Sequence, residues 1–210
     1  MKYVAENYKN FYDNMRNESS YGSPAPVVLQ IPDTIPPGSV LDLGAGDGRH
    51  ALFLAARGFQ VNAVDISEAG LEKLQRRASE QRLTIETHVV DLAHWSIDRD
   101  YNAIVAVVVF QHLAKNDALR LLDEMKQHTT SGGVNAVTVF TKTGDRYDQD
   151  RKEDPDAFYP DDGWLKKFYA DWNIVEYEST NGALIGKFRD DGTPMMNVVE
   201  KILAQKPPHR

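Results

Sequence analysis

Apolar residues fall along this chain in two rhythms: short runs with few interruptions, and longer stretches in which they recur three and four positions apart. The segments 40–43, 60–64, 84–90, 103–110 and 134–140 are of the first kind and read as strands. The run 103–110, Ala-Ile-Val-Ala-Val-Val-Val-Phe, is so continuously apolar that both its faces must be covered, which places it at the centre of a sheet. Between the strands, 49–57, 67–79 and 116–128 carry the helical period. Gly58 stops the first, the Ser67 hydroxyl can cap the second, and Leu119, Leu121, Leu122 and Met125 turn the third toward the core. Strands alternating with helices predict an α/β fold built on a doubly wound, mostly parallel sheet with helices on both faces.

The flanks follow other rules. Residues 7–15 set Tyr8, Phe11, Tyr12 and Met15 at helical spacing, while 19–37 contain Pro24, Pro26, Pro32, Pro36 and Pro37, which punctuate rather than fold. This predicts an aromatic helix on a tether, and Tyr8, Tyr12 and Arg16 are candidates for a lid over the ligand or simply for docking the helix. Beyond the last core strand, 143–156 is charged and aperiodic and reads as a mobile loop where a substrate pocket is commonly built. Residues 162–169 read as a helix, and 174–178 and 196–203 as a closing pair of strands.

Composition narrows the function classes. A chain of 210 residues, 41% hydrophobic and 26% charged, suffices for one globular domain. We expect that domain over 1–210, with the helix and linker in 1–37, a cofactor-binding core in 38–141 and a substrate side in 142–210. The net charge of −7, with no basic stripe, argues against nucleic-acid or acidic-membrane partners. With no Cys there is neither a disulfide nor a thiolate mechanism, and the His positions fit no metal-ligand spacing. The start of the chain lacks a signal-peptide pattern and no apolar run would span a bilayer, so a cytoplasmic protein without metal is expected.

The chemistry concentrates at 40–50, Val-Leu-Asp-Leu-Gly-Ala-Gly-Asp-Gly-Arg-His. In a doubly wound sheet this turn lies at the carboxyl ends of the strands, where a ligand binds at the switch point. A dinucleotide fingerprint starting at Gly44 would need glycine where Arg49 stands. Asp42 and Asp47 beside the turn would repel a pyrophosphate and suit an ammonium group. Asp65, closing the second strand, can accept from two ribose hydroxyls. Asp91 closes the third and can accept from a purine amino group, with Ile66 and Leu92 against the ring faces. A purine, a free ribose and an α-ammonium together describe S-adenosylmethionine.

These segments, with Val-Asp-Ile-Ser at 64–67, Val-Val-Asp-Leu at 89–92 and Val-Phe-Gln-His-Leu at 109–113, resemble the successive motifs of class I S-adenosylmethionine-dependent methyltransferases. Within that superfamily the chain resembles the tellurite-resistance (TehB-like) family. That likeness rests on 42–50 followed by Leu-Phe-Leu-Ala-Ala-Arg-Gly-Phe at 52–59, on Tyr-Asn-Ala-Ile-Val at 101–105, and on Trp-Leu-Lys-Lys-Phe-Tyr-Ala-Asp-Trp at 164–172. The resemblance implies a seven-stranded sheet with its last strand antiparallel. It also implies that Gly44, Ala45, Gly46 and Gly48 shape the cofactor loop, that Asp65 binds ribose, and that Ile66, Asp91 and Leu92 contact adenine. Asp42 and the backbone carbonyl of Val107 would orient the methionine ammonium. The chain departs from the family at 182–189, Gly-Ala-Leu-Ile-Gly-Lys-Phe-Arg, where a His and Arg pair is usual and only Lys187 and Arg189 are cationic.

The reaction expected is in-line methyl transfer to a small acceptor, a tellurite- or selenite-type oxyanion or a thiol. His112 is the candidate general base, set against a plain capping or packing role; Arg189 is the candidate acceptor contact. Two other functions compete, a nicotinamide-dependent oxidoreductase and a non-catalytic S-adenosylmethionine binder.

Overall fold

The computed structural model describes residues 22–208. The helix expected at 7–15 and the lid candidates Tyr8, Tyr12 and Arg16 lie outside the described residues. Five strands form the parallel body: β1 (Ser39–Leu43), β2 (Gln60–Asp65), β3 (Ile85–Val89), β4 (Tyr101–Val107) and β5 (Thr129–Gly144). The sheet is completed by β6 (Asn173–Phe188) and β7 (Pro194–Gln205) in the order β3-β2-β1-β4-β5-β7-β6, with β7 antiparallel to both its neighbours. The expected architecture, including the antiparallel last strand, is the one observed.

Period-two alternation assigns the two faces. Leu41, Leu43, Ile104 and Ala106 point to one side, where α5 (Lys115–Gln127) brings Ala118, Leu121, Leu122 and Met125. Val40, Ala103 and Val105 point to the other, where α3 (Arg49–Ala55) and α4 (Glu68–Glu80) bring Ala51, Leu52, Leu54, Leu71 and Leu74. Ser67 caps α4 as expected, its Oγ accepting from the Gly70 amide at 3.2 Å.

The proline-rich segment is corrected by the structure. It folds into two helical turns, α1 (Pro26–Leu29) and α2 (Ile31–Thr34), whose Val27, Val28 and Ile31 are fully buried under the second face. Each turn carries a proline at its first or second position, where the missing N–H costs nothing. These prolines start helices rather than interrupt them.

The segment 143–156 also departs from expectation. β5 runs on to Gly144 and is followed by α6 (Asp145–Glu153), which buries no residue and therefore shows no apolar period. Polar ties hold it instead, among them an Arg146–Asp150 pair at 2.6 Å one turn apart. The central strand is shorter than its apolar run: β4 stops at Val107, and Val108 takes φ 58°, a left-handed value rare for a β-branched residue. The chain then makes a single 3₁₀ turn, Phe110–His112.

A buried carboxylate that sequence reading missed secures the C-terminal part of the sheet. Glu200 of β7 is wholly buried and accepts from the Gly163 amide, the Leu165 amide at 2.9 Å and the Tyr177 hydroxyl at 2.9 Å. It thus anchors α7 (Trp164–Phe168) to the sheet. Glu200→Ala, which strands two amides and a phenol, should lower unfolding free energy by about 2–4 kcal/mol. Urea unfolding at neutral pH would measure it, and a loss below about 1 kcal/mol would remove the anchoring role.

Candidate functional site

Sheet order reverses between β1 and β4, and the glycine turn after β1 sits at that switch point. Gly44, Gly46 and Gly48 all have positive φ, at 66°, 55° and 84°. At Gly44 a Cβ would come within 2.6 Å of Val109 Cγ2, so the turns after β1 and β4 can meet only without a side chain there. At Gly48 it would lie 2.1 Å from Leu74 Cδ1, inside the core beneath α4. Amides of Gly44 and Ala45 both donate to the Val64 carbonyl, at 2.9 and 3.0 Å, pinning the turn to the end of β2.

Asp65 occupies the expected place. Its Oδ2 accepts from the Gly46 amide at 2.8 Å and its Oδ1 from the Ser67 amide at 2.8 Å, so it locks the glycine turn to the start of α4. Burial pushes its carboxyl above the usual range, against the pull of the Ser67, Gly46 and Ile66 amides. A carboxylate offers about four lone-pair directions, so ribose hydroxyls can share it with these amides. Val90 donates to the Asp65 carbonyl at 2.9 Å, which brings the end of β3, and with it Asp91, alongside. Asp91 Oδ1 accepts from the Ala93 amide at 3.1 Å, and Asp91 and Ile66 are half-buried while Leu92 is buried. Val107, the last residue of β4, is half-buried beside Thr138.

Asp42 is the most unusual group. It is 1% exposed, and its Oδ2 has no hydrogen-bond partner. Burial first, and the Asp65 charge after it, push its carboxyl up to about 7, with Arg49 and the Ala51 amide opposing. A buried carboxylate with an unmet oxygen is costly unless a cation or donor reaches it. Asp47 does not share this character. It is equally buried, but Lys73 lies 3.1 Å and Arg77 3.6 Å from its Oδ2, both from α4. The two carboxylates expected to serve an ammonium thus differ: Asp47 ties the glycine turn to α4, and Asp42 keeps an unmet oxygen at the switch point.

In the turn after β4, His112 is half-buried and its imidazole is pushed down to about 4, by desolvation first and then by Arg146, with Asp150 opposing. It is neutral at physiological pH. Gln111 Nε2 lies 2.9 Å from His112 Nε2 and donates to the Val108 carbonyl at 2.9 Å. Arg189 sits at the far end of the β6–β7 hairpin and grips Asp145 with two arms, at 3.1 and 2.6 Å. It is thus joined to the start of α6 rather than to the glycine turn. His50, on α3, is buried with Nε2 unpartnered and held down to about 3 by desolvation and Arg49, a packing position rather than a solvent one. Sequence reading missed Lys73 and Arg77; their spacing of four on α4 was the available signal. It also missed the pairing of Gln111 with His112.

A family model described as tellurite resistance protein TehB matches residues 5–195. The chain belongs to the TehB family. Among curated relatives, hemagglutinin 1 of Eikenella corrodens is 32% identical over 180 residues, covering 86% of this chain and 58% of that one. A probable S-adenosyl-L-methionine-dependent methyltransferase TehB of Haemophilus influenzae is 31% identical over 179 residues, covering 85% and 61%. The chain therefore spans about three fifths of the length of these relatives. The crystal structure of the Haemophilus influenzae TehB superposes with a TM-score of 0.77 at 27% identity, over 95% of this chain and 67% of that one. The N-methyltransferase NodS of Bradyrhizobium japonicum, solved with S-adenosyl-l-homocysteine, gives 0.70 over 97% and 98%, a likeness of fold alone at 14% identity. The TehB-family chain has the class I S-adenosylmethionine-dependent methyltransferase fold.

Proposed function

We propose that the chain is an S-adenosylmethionine-dependent methyltransferase acting on a small, soft nucleophile of the thiol type. The observation that carries the cofactor is Asp42, buried at the switch point with an unmet oxygen, beside Asp65 and the glycine turn. In this reading the ammonium meets Asp42 and the Val107 carbonyl, the ribose Asp65, and the adenine Ile66, Asp91 and Leu92, while Gly44, Ala45, Gly46 and Gly48 let the backbone approach. When bound, the cofactor supplies a methyl group on a sulfonium that is already a good leaving group. The chain's own contribution is alignment and exclusion of water.

The acceptor reading rests on what the substrate side offers. A neutral imidazole at about 4 is a weak base for an alcohol or amine. Arg146, Lys142 and Arg189 each hold a carboxylate, at 2.6, 2.9 and 2.6 Å, so an oxyanion taken up by any of these three would have to displace it. A thiol ionises readily and asks for neither. The net charge of −7 supports a small acceptor over a nucleic acid. A cytoplasmic place of action belongs to the same reading; among the described residues no helix is long and apolar enough to cross a membrane. The oxidoreductase alternative is not favoured.

Calorimetric titration with S-adenosylhomocysteine and with NAD tests the cofactor. The expected result is binding of the former alone, weakened by about 2–4 kcal/mol in Asp65→Ala through loss of two charge-assisted bonds. Binding of NAD with none of S-adenosylhomocysteine would overturn it. A radiolabelled methyl-transfer screen over thiols, oxyanions and amines tests the acceptor, with label expected in the thiols.

A further inference from the structure

The turn after β4 holds a paired Gln111 and His112, and Gln111 is 5% exposed. Gln111 Nε2 lies 2.9 Å from the Val108 carbonyl. A backbone carbonyl only accepts, so the –NH₂ end of the amide must face it. The same nitrogen has a second hydrogen, and 2.9 Å away stands His112 Nε2. To receive that hydrogen Nε2 must carry a lone pair, which in a neutral imidazole puts the proton on Nδ1. The backbone keeps the arrangement in place. The His112 amide donates to the Val109 carbonyl at 3.0 Å, and the Leu113 carbonyl accepts from the Phe158 amide at 3.0 Å. The returning segment so fixed carries Tyr159, whose hydroxyl donates to Asp150, which also holds Arg146.

We propose that Gln111 is a positioning residue that locks His112 in the Nδ1–H tautomer and thereby removes it as a general base for methyl transfer. The Nε2 lone pair is engaged by the Gln111 amide, and Nδ1 already bears its proton, so neither ring nitrogen takes a proton from the acceptor. His112 acts as a fixed neutral donor in the wall of the site. The acceptor therefore loses its proton to solvent before attack, and the step forms one bond from its lone pair to the methyl carbon as the carbon–sulfur bond breaks. This deepens the methyltransferase reading and rests on it only for the chemistry; the tautomer itself can be read without any acceptor.

Nitrogen-15 NMR of the His112 ring in the full chain decides the tautomer. In the wild type Nδ1 should show the protonated, pyrrole-type shift and Nε2 the pyridine-type shift. In Gln111→Glu, which replaces the donor by an acceptor, Nε2 should become protonated. A wild-type ring protonated on Nε2, or a tautomer unmoved by Gln111→Glu, would overturn the proposal. With thiols of different acidity, the ascending limb of kcat/KM against pH should move with the thiol and persist in His112→Asn. A limb that ignores the thiol and vanishes in His112→Asn would restore His112 as the base. Should no thiol be methylated, the acceptor reading fails while the NMR result still decides the role of Gln111.

Discussion

Replacing Lys73 by Met should lower the unfolding free energy by about 3 kcal/mol, because it leaves Asp47 charged and buried in the glycine turn with a weaker partner. Lys73 is 3% exposed and Asp47 1%, so water cannot replace the ammonium. Arg77 remains at 3.6 Å and also donates to the Asp47 carbonyl at 2.9 Å, which keeps the loss at the lower end of the range for a broken buried pair. The double variant Asp47→Leu with Lys73→Met removes both charges and should recover most of the loss, since the desolvation cost of each ion disappears with it. Urea unfolding of the single and double variants measures the coupling. Equal stability of wild type and Lys73→Met would show that the pair contributes nothing. The functional consequence follows from position: the same turn supplies Gly46, whose amide holds Asp65, so loosening it should weaken S-adenosylhomocysteine binding even in variants that remain folded.

That pair also marks where the sequence stops being readable. The turn, Asp65 and the apolar strands were legible because each is local: glycines at fixed spacing, a carboxylate at a strand end, an unbroken run such as 103–106. The partner of Asp47 lies a strand and a helix away, and only the fold shows that it is Lys73 rather than a ligand. Sequence pattern failed in two opposite ways at the flanks. Prolines at 26 and 32 look like breakers, yet they occupy first-turn positions, and the buried Val27, Val28 and Ile31 between and beside them carry the packing. α6 looks like a loop because nothing in it is buried, so the period that reveals helices is missing. At the site, His112 was visible as a candidate, but its chemistry was not. Its ring meets the adjacent Gln111 amide within the 3₁₀ turn that follows left-handed Val108, a local geometry that no sequence period announces.

Affinity for S-adenosylhomocysteine should rise with pH, up to roughly tenfold per pH unit, until it levels near the point where Asp42 ionises at about 7. The sign follows from the direction of the shift. A carboxyl raised from 3.8 to about 7 on folding binds its proton more tightly in the folded chain than in the unfolded one. The ligand-free chain therefore loses stability as pH climbs through that window, by at most roughly 4 kcal/mol in total. A ligand ammonium placed against Asp42 reverses the preference, because it stabilises the charged carboxylate. Binding below pH 7 must then expel a proton, and binding above it need not. Arg49 favours the charged form and Asp65 opposes it, so Asp65 adds its own pH response, and the Asp42→Asn variant is needed to separate the two. In Asp42→Asn the ligand-free chain should gain stability at about pH 8. Its affinity for S-adenosylhomocysteine should be weaker there, and the proton release seen by calorimetry in buffers of different ionisation enthalpy should fall away. A wild-type affinity that is flat or falls with pH, matched by Asp42→Asn, would mean that the ammonium does not meet Asp42. The cost of keeping Asp42 buried with an unmet oxygen would then have to be explained by something other than the cofactor.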